Sequence, residues 1–183
     1  NSDNFVPKKI FLTKGVGFHK EKLASFELAL REAGIAPLNL ITVSSILPPH
    51  CKFIDKGEGV KLLKPGQVVP VVLAKSESNI PSTLVSSGVG VAVPRDKEHY
   101  GYLSEHHSTG MDDIKMEEYV EDLAAEMLAT TYGIKFDPDA SWDEKRELWS
   151  IDNRIVKTRS EVQTSIVSDE GLWTTTIAAA VLI

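Results

Sequence analysis

Apolar runs of strand length, each bounded by proline or glycine, constrain the fold of this chain more than any other feature. Two of them, residues 68–75 and 84–93, lie between Pro65-Gly66 and Pro94. Because proline cannot donate to a sheet ladder and glycine favours turns, these residues mark where strands begin and end. Similar strand character is found at residues 9–13, 38–46, 100–105, 155–167 and 173–183. The sequence therefore predicts a fold rich in β-strands.

Two segments have apolar residues at the spacing of one helix face. In residues 20–33 this stripe consists of Leu23, Phe26, Leu30 and Ala33. Gly34 follows at the position of a left-handed C-cap. Residues 115–132 form a longer amphipathic segment that ends at Gly133. We therefore predict two helices, each packing one face on the strands.

Two other segments lack either pattern. Gly15-Val16-Gly17 predicts a loop after the first strand, because it lacks the third glycine and the Lys-Ser/Thr pair of a phosphate-binding loop. Residues 136–153 are polar and charged with two tryptophans, which predicts a surface excursion with one helical turn. Strands and helices in mixed order favour an α+β layered domain over a strictly alternating parallel one.

Composition restricts the class of protein further. A chain of 183 residues with 42% apolar and 25% charged residues predicts one domain spanning residues 1–183. Its one cysteine cannot form an internal disulfide, and no apolar run reaches the roughly 18 residues of a membrane span. Residues 1–9 lack a secretory signal pattern, so we expect a cytoplasmic protein. The net charge of −6 argues against nucleic-acid binding and is compatible with attraction of a small cation.

Two adjacent serines, Ser44 and Ser45, end one predicted strand and are followed by Ile46-Leu47-Pro48-Pro49. The prolines restrict the backbone where a serine hydroxyl lies within reach of the preceding carbonyl. By composition alone, the same pattern also describes an ordinary strand exit. The pattern is therefore a candidate site whose chemistry needs further support.

Residues 26–49 as a whole resemble the pyruvoyl-dependent arginine decarboxylases. That family has an Ala-Gly-Ile turn after a helix, an Asn-Leu strand and a Ser-Ser processing site ending in Pro-Pro. The matching segments here are Ala33-Gly34-Ile35, Asn39-Leu40 and Ser44-Ser45-Ile46-Leu47-Pro48-Pro49. A second block, residues 91–97 followed by 101–105, is similar to the family's strand, Pro-Lys/Arg-Asp-Lys turn and strand ending in glutamate. The resemblance covers most of residues 9–128 and the terminal strand.

The resemblance implies that the chain processes itself. The Ser45 hydroxyl would attack the Ser44 carbonyl to give an ester, and elimination and hydrolysis would then leave a pyruvoyl group derived from Ser45. The products would be a β chain, residues 1–44, and an α chain, residues 45–183. The pyruvoyl ketone would form a Schiff base with the substrate amine, so pyridoxal phosphate is not expected. Asn39 matches a family position next to the processing site, although pairing at a strand edge is the alternative for this amide.

The resemblance also implies that L-arginine is converted to agmatine and CO2. Glu105 occupies the family's general-acid position. Glu27 would meet the substrate guanidinium, where the family generally has aspartate. The remaining substrate-binding residues are expected to be Leu23, Leu30, Ser44 and Ile46.

Glu27 can also be examined without the family. It shares a helix stripe with Leu23 and Leu30, where a carboxylate is costly unless it has a partner. A cationic ligand would serve as that partner. The alternative is a boundary glutamate that reaches solvent, Lys20 or Arg31.

Two other groups of residues are weaker candidates, one for a metal site and one for a nucleophile. Glu105 is followed by His106 and His107, but adjacent histidines on a strand point to opposite faces and do not readily share one ion. We therefore expect no metal site. Cys51 has no histidine and acid at the spacing of a nucleophile and is expected to be a buried free thiol.

Family members adopt a four-layer αββα sandwich and associate as trimers with active sites between neighbouring subunits. We therefore expect a homotrimer of processed αβ protomers, with pairing of trimers into a hexamer left open, in a polyamine or acid-resistance setting. Neither nucleic acid nor a membrane is expected as a partner. One alternative keeps the chemistry on lysine, ornithine or histidine. Another is an unprocessed, non-catalytic homologue with a binding or structural role.

Overall fold

The computed structural model describes residues 4–152 and 154–183. Residues 1–3 and 153 lie outside the described residues. The first three begin the N-terminal segment 1–9, and residue 153 ends the predicted surface excursion 136–153. The strands are β1 (Lys9–His19), β2 (Asn39–Thr42), β3 (Ile46–Leu47), β4 (Lys52–Phe53), β5 (Val68–Ser78), β6 (Leu84–Pro94), β7 (Gly101–Thr109), β8 (Ile155–Ile166) and β9 (Trp173–Leu182). The helices are α1 (Lys22–Ala33), α2 (Lys56–Lys61), α3 (Asp113–Thr131) and α4 (Trp142–Asp152). This is a mixed α+β fold, as the sequence predicts.

The strands form two sheets. The first has the order β2-β5-β9-β1-β4 and the second the order β3-β7-β6-β8. β9 is antiparallel to both β1 and β5, whereas β2 and β4 are parallel edge strands. All pairs in the second sheet are antiparallel. Consequently β2 and β3, which follow each other in the sequence, are edge strands of different sheets.

Strict alternation of side chains in β9 builds two apolar cores. Ala178 and Ala180 pack with Val89 and Leu103 of the second sheet, so both sheets share one core. Ala179, on the opposite face of β9, packs instead in the core that contains the buried face of α1. A strand that is buried on both faces reads as a continuous apolar run, as the C-terminal segment does. Helix α3 packs on the second sheet, against β6, β7 and β8.

Glycines let both long helices approach the sheets closely. A Cβ at Gly17 of β1 would overlap the carbonyl oxygen of Ser25 in α1, and a Cβ at Gly90 of β6 would overlap that of Val120 in α3. The predicted loop at Gly15-Val16-Gly17 is therefore wrong, because β1 continues through these residues to His19. The glycines are there for helix packing rather than for a turn.

Several boundaries agree with the sequence and several do not. Gly34 ends α1 with φ of 79°, which confirms the predicted left-handed C-cap. The predicted strand at residues 38–46 is divided into β2 and β3 by a bend at the serines. Helix α2 is not predicted from the sequence, although Asp55 caps it by accepting the Glu58 N–H at 2.8 Å.

The predicted surface excursion contains α4, an 11-residue helix rather than one turn. Ser141 and Glu144 form a capping box, in which each side chain accepts the backbone N–H of the other residue. Nε of Arg146 donates to both carboxylate oxygens of Asp122 at 2.9 and 3.0 Å, and Asp122 is buried in α3. Lys145 pairs with Glu126 of α3 at 3.1 Å. These ion pairs hold α4 against α3. In the described part of the chain, no helix is long and apolar enough to cross a membrane.

Candidate functional site

The Ser44-Ser45 peptide bond lies where the chain crosses from one sheet to the other. Just before it, the Val43 N–H donates to the Val71 carbonyl of β5 at 3.0 Å. Just after it, the Ser45 carbonyl accepts the Leu103 N–H of β7 at 2.7 Å. The backbone is therefore held on both sides of the bond, by a different sheet on each side.

The two serine hydroxyls are free to react. Ser44 is exposed and Ser45 is half-buried. Among residues 4–152 and 154–183, neither hydroxyl takes part in a hydrogen bond, and neither is buried without a partner. The Ser45 hydroxyl is therefore available as a nucleophile toward the preceding carbonyl.

A cavity of about 360 Å³ borders this bond. Ser44 and Ile46 line it, together with Phe5, Val6 and the proline-rich segment that follows β3. The contribution of Phe5 and Val6 is not predicted from the sequence. The available signal was an apolar pair within an otherwise polar N-terminal segment. The cavity wall is mostly apolar, which suits the exclusion of water from a reacting group.

Glu105 lies on β7 and shares a strand face with Leu103. On the opposite face, the Ser104 hydroxyl donates to the Val120 carbonyl of α3 at 2.5 Å. Leu103 points into the core between the sheets, so the Glu105 side chain projects from that same side. Two residues of strand span about 7 Å. Leu103 donates its N–H to the Ser45 carbonyl, and Glu105, which is exposed, lies two residues further along β7.

His106 faces α3, with its ring centroid 4.3 Å from that of Tyr119. Burial lowers the pKa of His106, the neighbouring His107 lowers it further, and Glu105 opposes the shift. His106 is thus favoured in its neutral form near neutral pH. In the described ranges, no group of three or more His, Cys, Asp or Glu side chains is arranged to hold a metal ion.

Asn39 lies at the far end of β2 from the serines. Its side chain donates to the Gly66 carbonyl at 2.9 Å, and its N–H donates to the Gln67 carbonyl at 2.9 Å. The four residue steps from Asn39 to Val43 span about 13 Å of extended backbone. Within one chain, the structure does not bring the Asn39 amide to the Ser44-Ser45 bond. The amide instead anchors the turn that precedes β5, which is the strand-edge alternative for this residue.

Glu27 and Leu23 lie on the outer surface of α1, which packs on β1 and β9. Leu23 is 79% exposed, so its predicted place in the buried stripe is wrong. Leu30 is buried, as predicted, in the core beneath the helix. The Glu27 carboxylate accepts Nε–H of Arg31 at 3.1 Å, and its side chain is 45% exposed. Within one chain, Glu27 and Leu23 are therefore separate from Ser45 and Glu105.

Cys51 follows the prolines and packs at the edge of the core between the sheets. Burial raises the pKa of its thiol to about 11. The thiolate is the reactive form of cysteine, so this side chain is a poor nucleophile near neutral pH. Cys51 is free, as predicted, but it is half-buried rather than buried.

Comparisons with known proteins agree with the sequence motifs. The family model for pyruvoyl-dependent arginine decarboxylase matches residues 9–183. A probable pyruvoyl-dependent arginine decarboxylase of Chlorobium limicola is 53% identical over 180 residues, which cover 98% of this chain and 99% of that protein. Pyruvoyl-dependent arginine decarboxylase 2 of Methanosarcina mazei is 51% identical over 178 residues, 97% of each chain. These matches confirm the predicted resemblance, and the chain belongs to the pyruvoyl-dependent arginine decarboxylase family.

Proposed function

We propose that this protein is a self-processing, pyruvoyl-dependent decarboxylase that converts L-arginine to agmatine and CO2. Family membership over nearly the whole chain supports the reaction class. The observation that carries the proposal is the position of the Ser44-Ser45 bond, held by β5 on one side and β7 on the other. Glu105 lies two residues from Leu103 on β7, the strand that binds the Ser45 carbonyl.

Self-processing uses the free hydroxyl of Ser45. Its oxygen attacks the Ser44 carbonyl carbon, the carbon–nitrogen bond between the two residues breaks, and an ester forms. Elimination then breaks the bond between Cβ and the ester oxygen, so Ser44 leaves as a carboxylate. Water converts the dehydroalanine that remains into the pyruvoyl group and ammonia. The hydrogen bonds to Val71 and Leu103 keep both new chain ends attached.

The residues around Ser45 suit a pyruvoyl group at that position. Ser45 is half-buried, its carbonyl is fixed by Leu103, and its neighbours Ser44 and Ile46 line an apolar cavity. The group supplies a carbonyl that accepts the electron pair released when CO2 leaves. No pyridoxal phosphate is required for that chemistry.

Glu105 is proposed to be the general acid. Its carboxyl group delivers a proton to the substrate carbon that has lost CO2. Support comes from its place on β7, about 7 Å along the strand from the residue bonded to Ser45. The exposure of Glu105 also leaves its carboxyl open to a substrate that approaches from outside.

Glu27 is proposed to bind the substrate guanidinium. A carboxylate forms two parallel hydrogen bonds with a guanidinium, and Leu23 offers apolar surface to the aliphatic stem. Leu30 supports this face from beneath, and Ser44 and Ile46 border the processing end of the site. A substrate that spans Glu27 and Ser45 needs these groups side by side. Because one chain separates them, we propose that Glu27 and Leu23 come from a neighbouring subunit of a homotrimer.

The proposed layer order within each subunit is α1, first sheet, second sheet, α3. This is a four-layer αββα sandwich. Its support lies in the packing of α1 on β1 and β9, the core shared by the two sheets, and the packing of α3 on β6 to β8. Such a sandwich leaves the outer face of α1 and the edge with β2 and β3 available to other subunits.

Intact-mass analysis combined with an agmatine assay tests the proposed function. We expect two fragments, residues 1–44 and 45–183, the larger blocked at its N-terminus and reactive toward carbonyl reagents. Incubation with L-arginine should release agmatine, whereas Ser45→Ala should remain one inactive chain. A wild-type chain that stays uncleaved and inert would make the binding or structural alternative correct. Preferential decarboxylation of lysine, ornithine or histidine would instead reject arginine as the substrate.

Subunit complementation tests the shared site. A Glu27→Gln subunit is processed at Ser45 but lacks the carboxylate that binds the substrate guanidinium. A Ser45→Ala subunit keeps that carboxylate but is not processed. If neighbouring subunits share each site, mixed oligomers assembled from the two inactive variants should regain part of the activity. Oligomers assembled from either variant alone are the control. The absence of recovery in oligomers verified to be mixed would place all the groups in one subunit and refute the proposal.

A further inference from the structure

Glu27 already holds a guanidinium in the free chain. Nε of Arg31, one helical turn later, donates to Glu27 Oε1 at 3.1 Å. Arg31 makes no other ion pair among the described residues. The nearby Lys22 is engaged elsewhere, with Glu77 at 2.9 Å and over the Trp173 ring. Arg31 is therefore the cation that is paired with the Glu27 carboxylate.

We propose that Arg31 is an internal competitor of the substrate and sets the affinity of the site for guanidinium ligands. This inference rests on the proposed role of Glu27 in arginine binding. The Arg31 head group and the substrate head group are the same chemical group, and both require the same carboxylate. A paired, bidentate complex between the substrate and Glu27 needs both carboxylate oxygens, one of which Arg31 already occupies. Arg31 and the substrate therefore compete for the same carboxylate oxygen.

The Arg31 side chain is suited to repeated displacement. Within one chain its side chain is 66% exposed and that of Glu27 is 45% exposed, so packing inside the subunit locks neither group in place. Exposed pairs at this helix spacing are weak, shifting an equilibrium by roughly twofold. Competition of this strength lowers substrate affinity without blocking the site.

The test compares Arg31→Met with wild type in processed enzyme at constant ionic strength of about 0.15 M. Methionine retains helix propensity and apolar bulk but removes the guanidinium. We expect the KM for arginine to fall about twofold, and the inhibition constant of agmatine to fall by the same factor. The value of kcat should stay at the wild-type level, because Arg31 does not touch the reacting atoms. Arg31→Lys should lie between the two.

Lys20→Met is the matched control. Lys20 is an exposed cation just before α1 and makes no ion pair within the described residues. Its removal changes the net charge by the same amount as the loss of Arg31. An equal fall in KM for Lys20→Met would mean that net charge alone is responsible, and would refute competition at Glu27.

Agmatine separates competition from the opposite role, in which Arg31 binds the substrate carboxylate. Agmatine has the guanidinium but no carboxylate. If Arg31 bound the carboxylate, Arg31→Met would raise the KM for arginine and leave agmatine inhibition unchanged, which would overturn the proposal. Competition also requires the effect to vanish in a Glu27→Gln background. A persistent effect in that background would refute it.

Binding experiments keep this inference separate from the proposed function. Calorimetric titration of agmatine into processed wild-type and Arg31→Met protein requires no turnover. If the protein fails to decarboxylate arginine but Arg31→Met still binds agmatine about twofold more tightly, the competition stands and the reaction assignment fails. If turnover is normal and agmatine binding is identical in the two proteins, the competition is refuted. Equal extents of chain cleavage in both proteins serve as the check on folding.

Discussion

The hydrogen bond from the Val43 N–H to the Val71 carbonyl should control the rate of self-processing. It fixes the chain just before the scissile bond, while Leu103 fixes it just after. Val43→Pro removes the donor, and Thr42, which precedes it, already lies in a strand where a following proline is tolerated. We therefore expect the loss of one anchor without loss of the fold.

The size of the effect follows from the worth of one backbone hydrogen bond. One such bond contributes a net free energy of about 0.5–1.5 kcal/mol. If all of it positions Ser45 against the Ser44 carbonyl, its loss slows cleavage by roughly 2- to 12-fold. The time course of fragment formation, followed by intact mass on freshly purified precursor, measures this rate. Val43→Ala is the control, because it keeps the N–H and removes only part of an exposed side chain.

Stability should be measured separately, in a Ser45→Ala background in which both proteins remain uncleaved. Val43→Pro should then lose no more than about 1.5 kcal/mol of unfolding free energy. Cleavage at the wild-type rate, with this loss of stability observed, would show that the anchor on β5 does not position the serines.

Three further predictions concern the proton donor, the helix–sheet contact and the thiol. Glu105→Gln should cleave normally but decarboxylate arginine roughly 100-fold more slowly, because it removes the proposed general acid; cleavage gels and agmatine release measure the two effects. Gly90→Ala should lower the unfolding free energy by about 1–3 kcal/mol, because the added methyl group overlaps the backbone of α3, whereas a methyl group at Gly57 would meet only the α2-capping Oδ1 of Asp55, at 3.3 Å; denaturant unfolding of uncleaved precursor compares them. Cys51 should be alkylated about 100-fold more slowly at pH 8 than a thiol of pKa 9.0, because a pKa of about 11 leaves far less thiolate, and the rate should rise up to about pH 11. Rapid alkylation of native protein at pH 8 would contradict this.

Local signals in the sequence account for most of the elements. The apolar periodicity and Gly34 define α1, and the apolar runs bounded by proline and glycine locate β5 and β6. The continuation of β1 through Gly15 and Gly17 could not be predicted, because its cause is a helix that packs on these residues from elsewhere in the chain. The physical reason is tertiary packing, which overrides local propensity.

In the candidate site, too, the motif can be predicted from the local sequence but its surroundings cannot. The Ser44-Ser45 motif is evident from the sequence, but its position between two sheets depends on which strands pair with β2 and β3. The position of Glu105 relative to the two serines depends likewise on the pairing of β3 with β7. For Glu27 the sequence offered several partners, and the structure selects Arg31. How Glu27 would reach Ser45 depends on assembly, which the folding of one chain does not specify.

The location of β1 inside the first sheet has a consequence for the processed protein. Cleavage after Ser44 would assign β1 to the short chain, while its two neighbours, β4 and β9, belong to the long chain. The β1–β9 ladder alone runs from Ile10 and Leu182 to His19 and Trp173, so the short chain is embedded in the sheet rather than attached to its edge. The precursor folds as one molecule, but the processed protein, once denatured, must bring two chains together. Its refolding therefore depends on concentration, and the peptide link lost at Ser44 no longer supplies an effective concentration for pairing. Cleavage after Ser44 would thus leave a product whose persistence depends on how slowly it unfolds.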